Sequence, residues 1–286
     1  MSQSSQDFFK VIYYQINIIM IKLIMSDMDG TLLDEEAKLP AEFDAMMKKL
    51  SERGVMFAPA SGRQYHSLVD TFPGYADSFL FISDNGTMVK QHGQELFSDV
   101  IEWQCAMDLL NSVNETDGVY NVFCGKEKAY LLKKKQPERY MGELQKYFRA
   151  VELVDCFEDV ADDPIKVSFF TAAGDADTKI YPLMEPHAAT MQVVLASAYW
   201  VDITNKGANK GMAVRKLQER LCLAPEECAA FGDYMNDKEM LESVYYSYAM
   251  ANAYPAIKDV ARFEAKSNAE NGVMRQIQTF IDQGLC

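Results

Sequence analysis

The apolar run Ile21-Lys22-Leu23-Ile24-Met25 passes almost directly into Asp27-Met28-Asp29-Gly30-Thr31, and this junction constrains the fold more than any other stretch of the chain. A short segment rich in Ile, Leu and Met, with one polar interruption, suits a strand covered on both faces, as in a parallel sheet. Gly30 supplies the backbone freedom for a tight exit. Two acids two positions apart at the end of such a strand share a face while the chain stays extended, and so address one pocket. Paired carboxylates repel each other and attract a hard, oxygen-seeking cation such as Mg²⁺. Taken alone, D-x-D-G reads as readily as an acidic turn capping a helix, so the remainder of the chain decides.

The same rhythm recurs downstream. Phe43, Met46, Met47 and Leu50 lie at helical spacing within residues 42–53, and Gly54 stops the pattern. A strand over residues 55–58 ends at Pro59-Ala60-Ser61-Gly62-Arg63, a helix spans 64–72, and a strand over 79–82 meets Ser83-Asp84-Asn85-Gly86. Strand, polar turn and helix in repetition predict a right-handed βαβ series with its turns along one edge. From Thr87 the pattern changes: turns at Asn85-Gly86 and His92-Gly93 bound strand-like pieces at 87–90 and 95–97, a hairpin. Further strands are predicted at 120–124, 129–132, 166–171 and 191–195, with helices at 101–113, 137–148 and 177–186. The first rhythm resumes with a strand at 200–203, a helix at 210–221, a strand at 228–231, the turn Gly232-Asp233-Tyr234-Met235-Asn236-Asp237, a last strand at 245–250 and two helices. The expected fold class is α/β: a Rossmann-like three-layer parallel-sheet core from residues 20–86 and 200–286, interrupted by an inserted α+β domain at 87–199. Residues 1–19 read as an N-terminal extension that is not native to the fold, with Met20 as its beginning.

With 286 residues, 49% of them hydrophobic, the chain fills one large domain or two ordinary ones. Forty-two acidic against 28 basic side chains give a formal charge of −14, a field that repels nucleic acid and anionic lipid, so neither is an expected partner. Residues 12–25 are fairly apolar, but Gln15, Asn17 and Lys22 interrupt them and no small-residue cleavage site follows. The cysteines at 105, 124, 156, 222, 228 and 286 form no C-x-x-C pair, which argues against a zinc site or a disulfide framework and for reduced thiols in a cytoplasm. Lys133-Lys134-Lys135 reads as a solvated face.

Four turns at predicted strand ends carry chemistry: Asp27 and Asp29; Ser61, Gly62 and Arg63; Lys210, opening a helix; and Asp233, Asn236 and Asp237. In an open parallel sheet such turns converge on one crevice. Each alone is an ordinary cap or turn residue. Other catalytic families fit poorly. There is no G-x-S-x-G elbow, His66, His92 and His187 have no nucleophile partner, and Lys210 precedes Gly211 rather than following it as a P-loop requires.

In order and together, D-x-D-G-T-L, S-G-R, K-G and G-D-x-x-N-D resemble the haloacid dehalogenase (HAD) superfamily of Mg²⁺-dependent phosphohydrolases. The wide gap between Arg63 and Lys210 resembles its Cof-type group, with a C2-type cap inserted there. Asn85-Gly86, the segment 249–253 and Asn271-Gly272-Val273 extend the resemblance, which runs from Met20 to the C-terminus. It implies a phosphatase in which Asp27 attacks phosphorus to form an aspartyl-phosphate, and Asp29 protonates the leaving oxygen and then activates water. Mg²⁺ would be held by Asp27, Asp233 and the backbone carbonyl of Asp29, with Asp237 fixing its waters. Ser61 and the Gly62 amide would bind phosphate oxygens, and Lys210 would supply a compact positive charge to nucleophile and phosphate. Asn236 would orient Lys210 or the phosphate. Arg63 reads equally as an ion-pair partner of a core carboxylate and as a substrate contact, and Asn85 as a turn residue first and a pocket residue second. The implied substrates are small phosphorylated metabolites, sugar phosphates or related compounds, with specificity in the cap. Lys126, Lys128 and Lys166 are candidates there, against a surface role for each. A phosphomutase or phosphotransferase on the same scaffold is the alternative; a non-catalytic sugar-phosphate sensor is a weaker one, since no carboxylate of the set is missing. Oligomeric state is not legible.

Overall fold

The structure is a computed structural model and describes residues 20–135 and 141–286, so the N-terminal extension lies outside the described residues. In chain order the described strands begin with β1 (Leu23–Asp27), β2 (Met56–Ala60), β3 (Leu80–Ser83), β4 (Met88–Gln91) and β5 (Gln94–Ser98). There follow β6 (Val119–Gly125), β7 (Ala129–Leu132), β8 (Val151–Val154), β9 (Pro164–Thr171), β10 (Met191–Leu195) and β11 (Trp200–Asn205). The last three are β12 (Cys228–Gly232), β13 (Tyr246–Met250) and β14 (Phe263–Ala265). They form two sheets, ordered β14-β13-β12-β1-β2-β3-β4-β5 and β10-β11-β9-β6-β7-β8.

In the larger sheet β1 runs parallel to both β12 and β2, and Leu23, Ile24 and Met25 have no exposed surface, as a strand covered on both faces requires. Strand order reverses between β1 and β12, so right-handed crossovers leaving in opposite directions put their helices on opposite faces. The helix Phe43–Glu52 buries Phe43, Met46, Met47 and Leu50, the positions its spacing predicts, and Phe43 meets Phe57, Phe72 and Phe79 with ring centroids 5.5–6.1 Å apart. The helices Lys210–Leu221 and Gly272–Asp282 each bury an apolar stripe, Ala213, Val214 and Leu217 in one and Val273, Met274, Ile277 and Phe280 in the other. The reversal also opens a crevice beyond the C-terminal ends of β1 and β12.

The smaller sheet follows a period of two. Val167, Phe169, Val201 and Ile203 face the helix Trp103–Ser112, while Phe170, Trp200, Val122 and Cys124 face Leu144 and Phe148 on the other side. Sheet membership differs from expectation at both ends of the insertion. The hairpin β4–β5 pairs antiparallel with β3 and extends the larger sheet, because the tight turn at Asp84-Asn85-Gly86 returns the chain beside the strand it left. Strand β11 pairs antiparallel with β10 and β9 in the smaller sheet, where Trp200 is buried against Phe170 at 4.8 Å between centroids. The chain therefore changes sheet near residues 99 and 205 rather than at 87 and 199. Strands β8 and β14 are additional to those predicted: β8 is four residues with a single acid, Glu152, parallel to β7, and β14 is three residues between two cations. The helix expected at 177–186 is two short pieces, Ala176–Lys179 and Tyr181–Met184, broken where Pro182 cannot donate to the preceding turn. Of the helix expected at 137–148, the described part is Met141–Tyr147.

Candidate active site

Beyond Asp27 the backbone does not stay extended. It winds into one wide turn, closed by the Leu33 N–H donating to the Met28 carbonyl at 2.9 Å. Gly30 has φ +83°, and a Cβ there would lie 2.4 Å from Asp233 Oδ2, so glycine both permits the turn and admits the second carboxylate. The turn sends the two acids of the motif different ways, contrary to the expectation that they share a face. Asp27 points inward and is 6% exposed; the Asp29 side chain is exposed, and its Oδ1 accepts a hydrogen bond from Arg63 Nη2 at 2.5 Å. Arg63 thus forms an ion pair, but with the exposed Asp29 of the motif rather than with a core carboxylate.

Lys210 opens its helix behind Asn209, whose side chain accepts from the Met212 N–H at 2.8 Å as N-cap. Without exposed surface, its Nζ donates to Asp27 Oδ1 at 2.5 Å and to Asp237 Oδ1 at 2.7 Å. Asp237 Oδ2 accepts the backbone N–H groups of Asp233 and Tyr234 at 3.0 and 3.2 Å, fixing the turn that carries Asp233. The Thr31 hydroxyl donates to Asp233 Oδ1 at 2.7 Å. Oxygens of Asp27, Asp233 and Asp237 lie within 4.8 Å of one another. Three carboxylates against one ammonium leave an excess negative charge in a buried site, and an all-oxygen donor set with that excess fits Mg²⁺. The Asp29 carboxylate is outside this set.

The electrostatics agree. Burial, then repulsion from Asp237, pushes the Asp27 carboxyl well above the usual carboxylate range despite Lys210. Burial also raises Asp233, against the Thr31 hydrogen bond. For Lys210 burial opposes the charge, but Asp237 and Asp27 override it and hold the ammonium above the ordinary lysine value. An acid whose pKa is raised on folding binds its proton more tightly folded than unfolded. Its contribution is therefore present below the ordinary carboxylate range and lost as pH rises through the raised value. In EDTA, the stability advantage of Asp27→Asn over the native protein is expected to widen from acid to neutral pH. Thermal unfolding across that range checks it, and a gap independent of pH would contradict the carboxylate repulsion.

The turns at 61–63 and 84–86 interlock. Ser61 is buried; its N–H donates to the Ile82 carbonyl and its Oγ accepts from the Arg63 N–H at 3.2 Å. The Asn85 N–H donates to the Ser61 carbonyl at 2.9 Å, and a Cβ on Gly62 would lie 3.1 Å from Asn85 Nδ2. Asn236 Nδ2 donates to Asn85 Oδ1 at 3.2 Å; of the two expected partners, Lys210 and a phosphate, the bond goes to neither but to the turn beside Gly62. Asp84, Asn85 and Gly86 all have positive φ, 49°, 55° and 93°, and a Cβ on Gly86 would lie 2.4 Å from the Asn209 carbonyl oxygen. Gly86→Ala is expected to cost about 1–3 kcal/mol through backbone strain and to lower turnover by displacing the N-terminus of the Lys210 helix. Denaturant unfolding measures the first, and an unchanged midpoint would show that the contact yields.

Thr31 and Asn252 escaped the assignment of roles. Asn252 Nδ2 donates to the Gly30 carbonyl at 2.8 Å and its Oδ1 accepts the Asn268 N–H at 3.1 Å, bracing the turn after Asp27 from beyond β13. Its position at a parallel strand's C-terminal end was the available signal. Among the three lysines considered for specificity, Lys128 pairs with Glu152 at the surface and Lys126 with Glu95 and Asp163. Lys166 is buried instead, its Nζ 2.7 Å from Asp84 Oδ1. Lys133 is solvated beside Asp155, whereas Lys135 donates to the Val113 and Asn114 carbonyls at the end of the helix Trp103–Ser112.

This placement of two carboxylate turns and a buried lysine at a switch point coincides with a family model, haloacid dehalogenase-like hydrolase, matching residues 24–277. The chain belongs to the haloacid dehalogenase-like hydrolases. It is 30% identical over 267 residues to the 5-amino-6-(5-phospho-D-ribitylamino)uracil phosphatase YbjI of Escherichia coli, covering 91% of this chain and 96% of that one. With the HMP-PP phosphatase of Serratia proteamaculans it shares 32% over 248 residues, 84% of this chain and 88% of the relative. The crystal structure of SMU.1108c from Streptococcus mutans superposes with a TM-score of 0.78 at 28% identity, over 92% and 99% of the two chains. The HAD resemblance carried by the four turns thus holds, and this HAD protein is an enzyme, a phosphoric monoester hydrolase. Among the described residues no helix is long and apolar enough to cross a membrane.

Proposed function

We propose that this HAD enzyme is a Mg²⁺-dependent phosphatase of small phosphorylated metabolites, sugar phosphates or related compounds, that works through an aspartyl-phosphate on Asp27. The observation that carries the reading is the buried Lys210 bridging Asp27 and Asp237, with Asp233 converging on the same point. Mg²⁺ held by Asp27 and Asp233, beside Asp237, would neutralise charge between the carboxylate nucleophile and the phosphate. Lys210 aims Asp27 and offsets part of the penalty on its buried charge while adding its own positive charge. Ser61 Oγ and the Gly62 N–H receive phosphate oxygens. An Asp27 oxygen forms the bond to phosphorus as the ester oxygen leaves with a proton from Asp29. Water then attacks phosphorus, Asp29 takes its proton, and the Asp27–phosphorus bond breaks to release phosphate. Arg63, paired with Asp29 at the mouth, positions that carboxyl for both transfers.

The unit built on the smaller sheet is read as a C2-type cap that excludes water and chooses the leaving group. The relatives named for a phosphorylated ribitylaminouracil and for HMP-PP support metabolites of that size. All six cysteines are free thiols, in keeping with a cytoplasmic enzyme. Phosphate release should be screened over sugar phosphates, nucleotides and vitamin phosphates, with Mg²⁺ and with EDTA. Release that requires Mg²⁺ and is restored by adding it back is expected. No release from any compound, or release indifferent to EDTA, would contradict the proposal.

A further inference from the structure

Among the described residues, one ion pair with both side chains buried joins the smaller sheet to the turns at 61–63 and 84–86, beside the hydrogen bonds of Gln64 to the Ala150 backbone. Lys166 lies on β9, on the face shared with Ser168 and Phe170 and away from the helix Trp103–Ser112. Its Nζ crosses to the other sheet and donates to Asp84 Oδ1 at 2.7 Å, with both side chains nearly devoid of exposed surface, 4% and 3%. The lysine also stands 5.5 Å from the Phe148 ring centroid. Beside it Ser168 Oγ donates to Asp202 Oδ1 at 2.6 Å, and Cys124 Sγ lies 3.6 Å from Ser168 Oγ. Burying a charged pair carries a desolvation penalty that well-packed apolar side chains would avoid. Its location suggests what it does instead.

Asp84 begins the turn in which three consecutive residues hold left-handed φ, a strained stretch that persists only where its surroundings fix it. That turn bonds back to Arg63 and Ser61, presents Asn85 to Gly62 and Asn236, and abuts Asn209 through Gly86. Each contact is to a segment bearing the residues assigned above to phosphate or nucleophile. We propose that Lys166, acting through Asp84, is a positioning residue that ties the seating of the smaller sheet to the shape of the phosphate-holding turns. This rests on the phosphatase reading, since it assigns the pair an effect on turnover. Lys166 itself touches none of the reacting groups named above. Its effect passes through Asp84 to Asn85 and Gly62, so the small sheet and the phosphate site become ordered together.

The test separates positioning from stability. Lys166→Met and Asp84→Asn each leave one partner buried without the other, and both are expected to destabilise the fold. The double variant Asp84→Asn/Lys166→Met removes both charges of the buried pair, leaves Asp202 held by the Ser168 hydroxyl, and is expected to fold. If the pair positions the turns, the double variant loses about tenfold to a hundredfold in kcat per folded molecule, with KM changed far less, and its amides at residues 84–87 exchange hydrogen faster. If the pair only holds the sheets together, the folded double variant shows native kcat, KM and exchange, and the inference is overturned. Should the native protein release no phosphate from any substrate, the phosphatase reading fails by itself. Hydrogen exchange at 84–87 then decides the coupling alone: faster exchange in the double variant supports it, and unchanged exchange refutes it.

Discussion

Asp27→Asn is expected to abolish phosphate release, by about a thousandfold or more, in a protein that folds at least as well as the native chain without metal. Asparagine nearly matches aspartate in shape but lacks the anionic oxygen that would bond to phosphorus. The substitution also removes a buried negative charge that burial and Asp237 already penalise. Lys210 keeps its bond to Asp237, so the turn carrying Asp233 stays anchored. Activity and stability therefore move in opposite directions, which distinguishes a lost nucleophile from a damaged fold. Turnover with Mg²⁺ and thermal unfolding in EDTA, both on the same preparation, check the two effects. A variant that retained substantial turnover would remove Asp27 from the chemistry.

Lys210→Met is expected to lose activity too, but with stability falling alongside it. Its Nζ is the shared donor to Asp27 Oδ1 and Asp237 Oδ1, and its removal leaves two buried carboxylates facing each other without their cation. Breaking a buried charge pair on one side costs about 3–5 kcal/mol. The pH dependence has a definite sign. Lysine's raised pKa means that its contribution is complete at neutral pH and is lost only as pH rises through that raised, strongly alkaline value. On the acid side the gap between native and variant narrows as Asp27, with its own raised pKa, takes up a proton and ceases to need the ammonium. Denaturant unfolding at neutral and acid pH checks this. A gap that stayed constant into acid would mean that the lysine acts there as packing rather than charge.

Much of this site could be read from local sequence because its parts sit where parallel strands end. Asp27, Ser61, Lys210 and Asp233 each follow an apolar run or open a periodic helix, and period alone puts them on one edge. The side-chain directions could not be read that way. Asp27 and Asp29 diverge because the chain winds into a wide turn at Gly30, against which Asp233 packs, a contact between residues some two hundred positions apart. Asn236 turns to Asn85, and Asp237 spends one oxygen on backbone amides and the other on Lys210. Both are choices made by the folded loop. The sheet changes near residues 99 and 205 were equally hidden, because strand alternation specifies a face and not a partner. Lys166 looked like any surface lysine because nothing in Pro164-Ile165-Lys166-Val167-Ser168 announces that Asp84 waits across the crevice.

The central claim is a covalent bond between Asp27 and phosphorus, and acid quenching during turnover of a labelled phosphomonoester with Mg²⁺ tests it most directly. Label is expected on the peptide containing Asp27, discharged by further incubation before the quench and missing from Asp27→Asn. Steady phosphate release with no label on the protein at any quench time, or label on another residue, would contradict it.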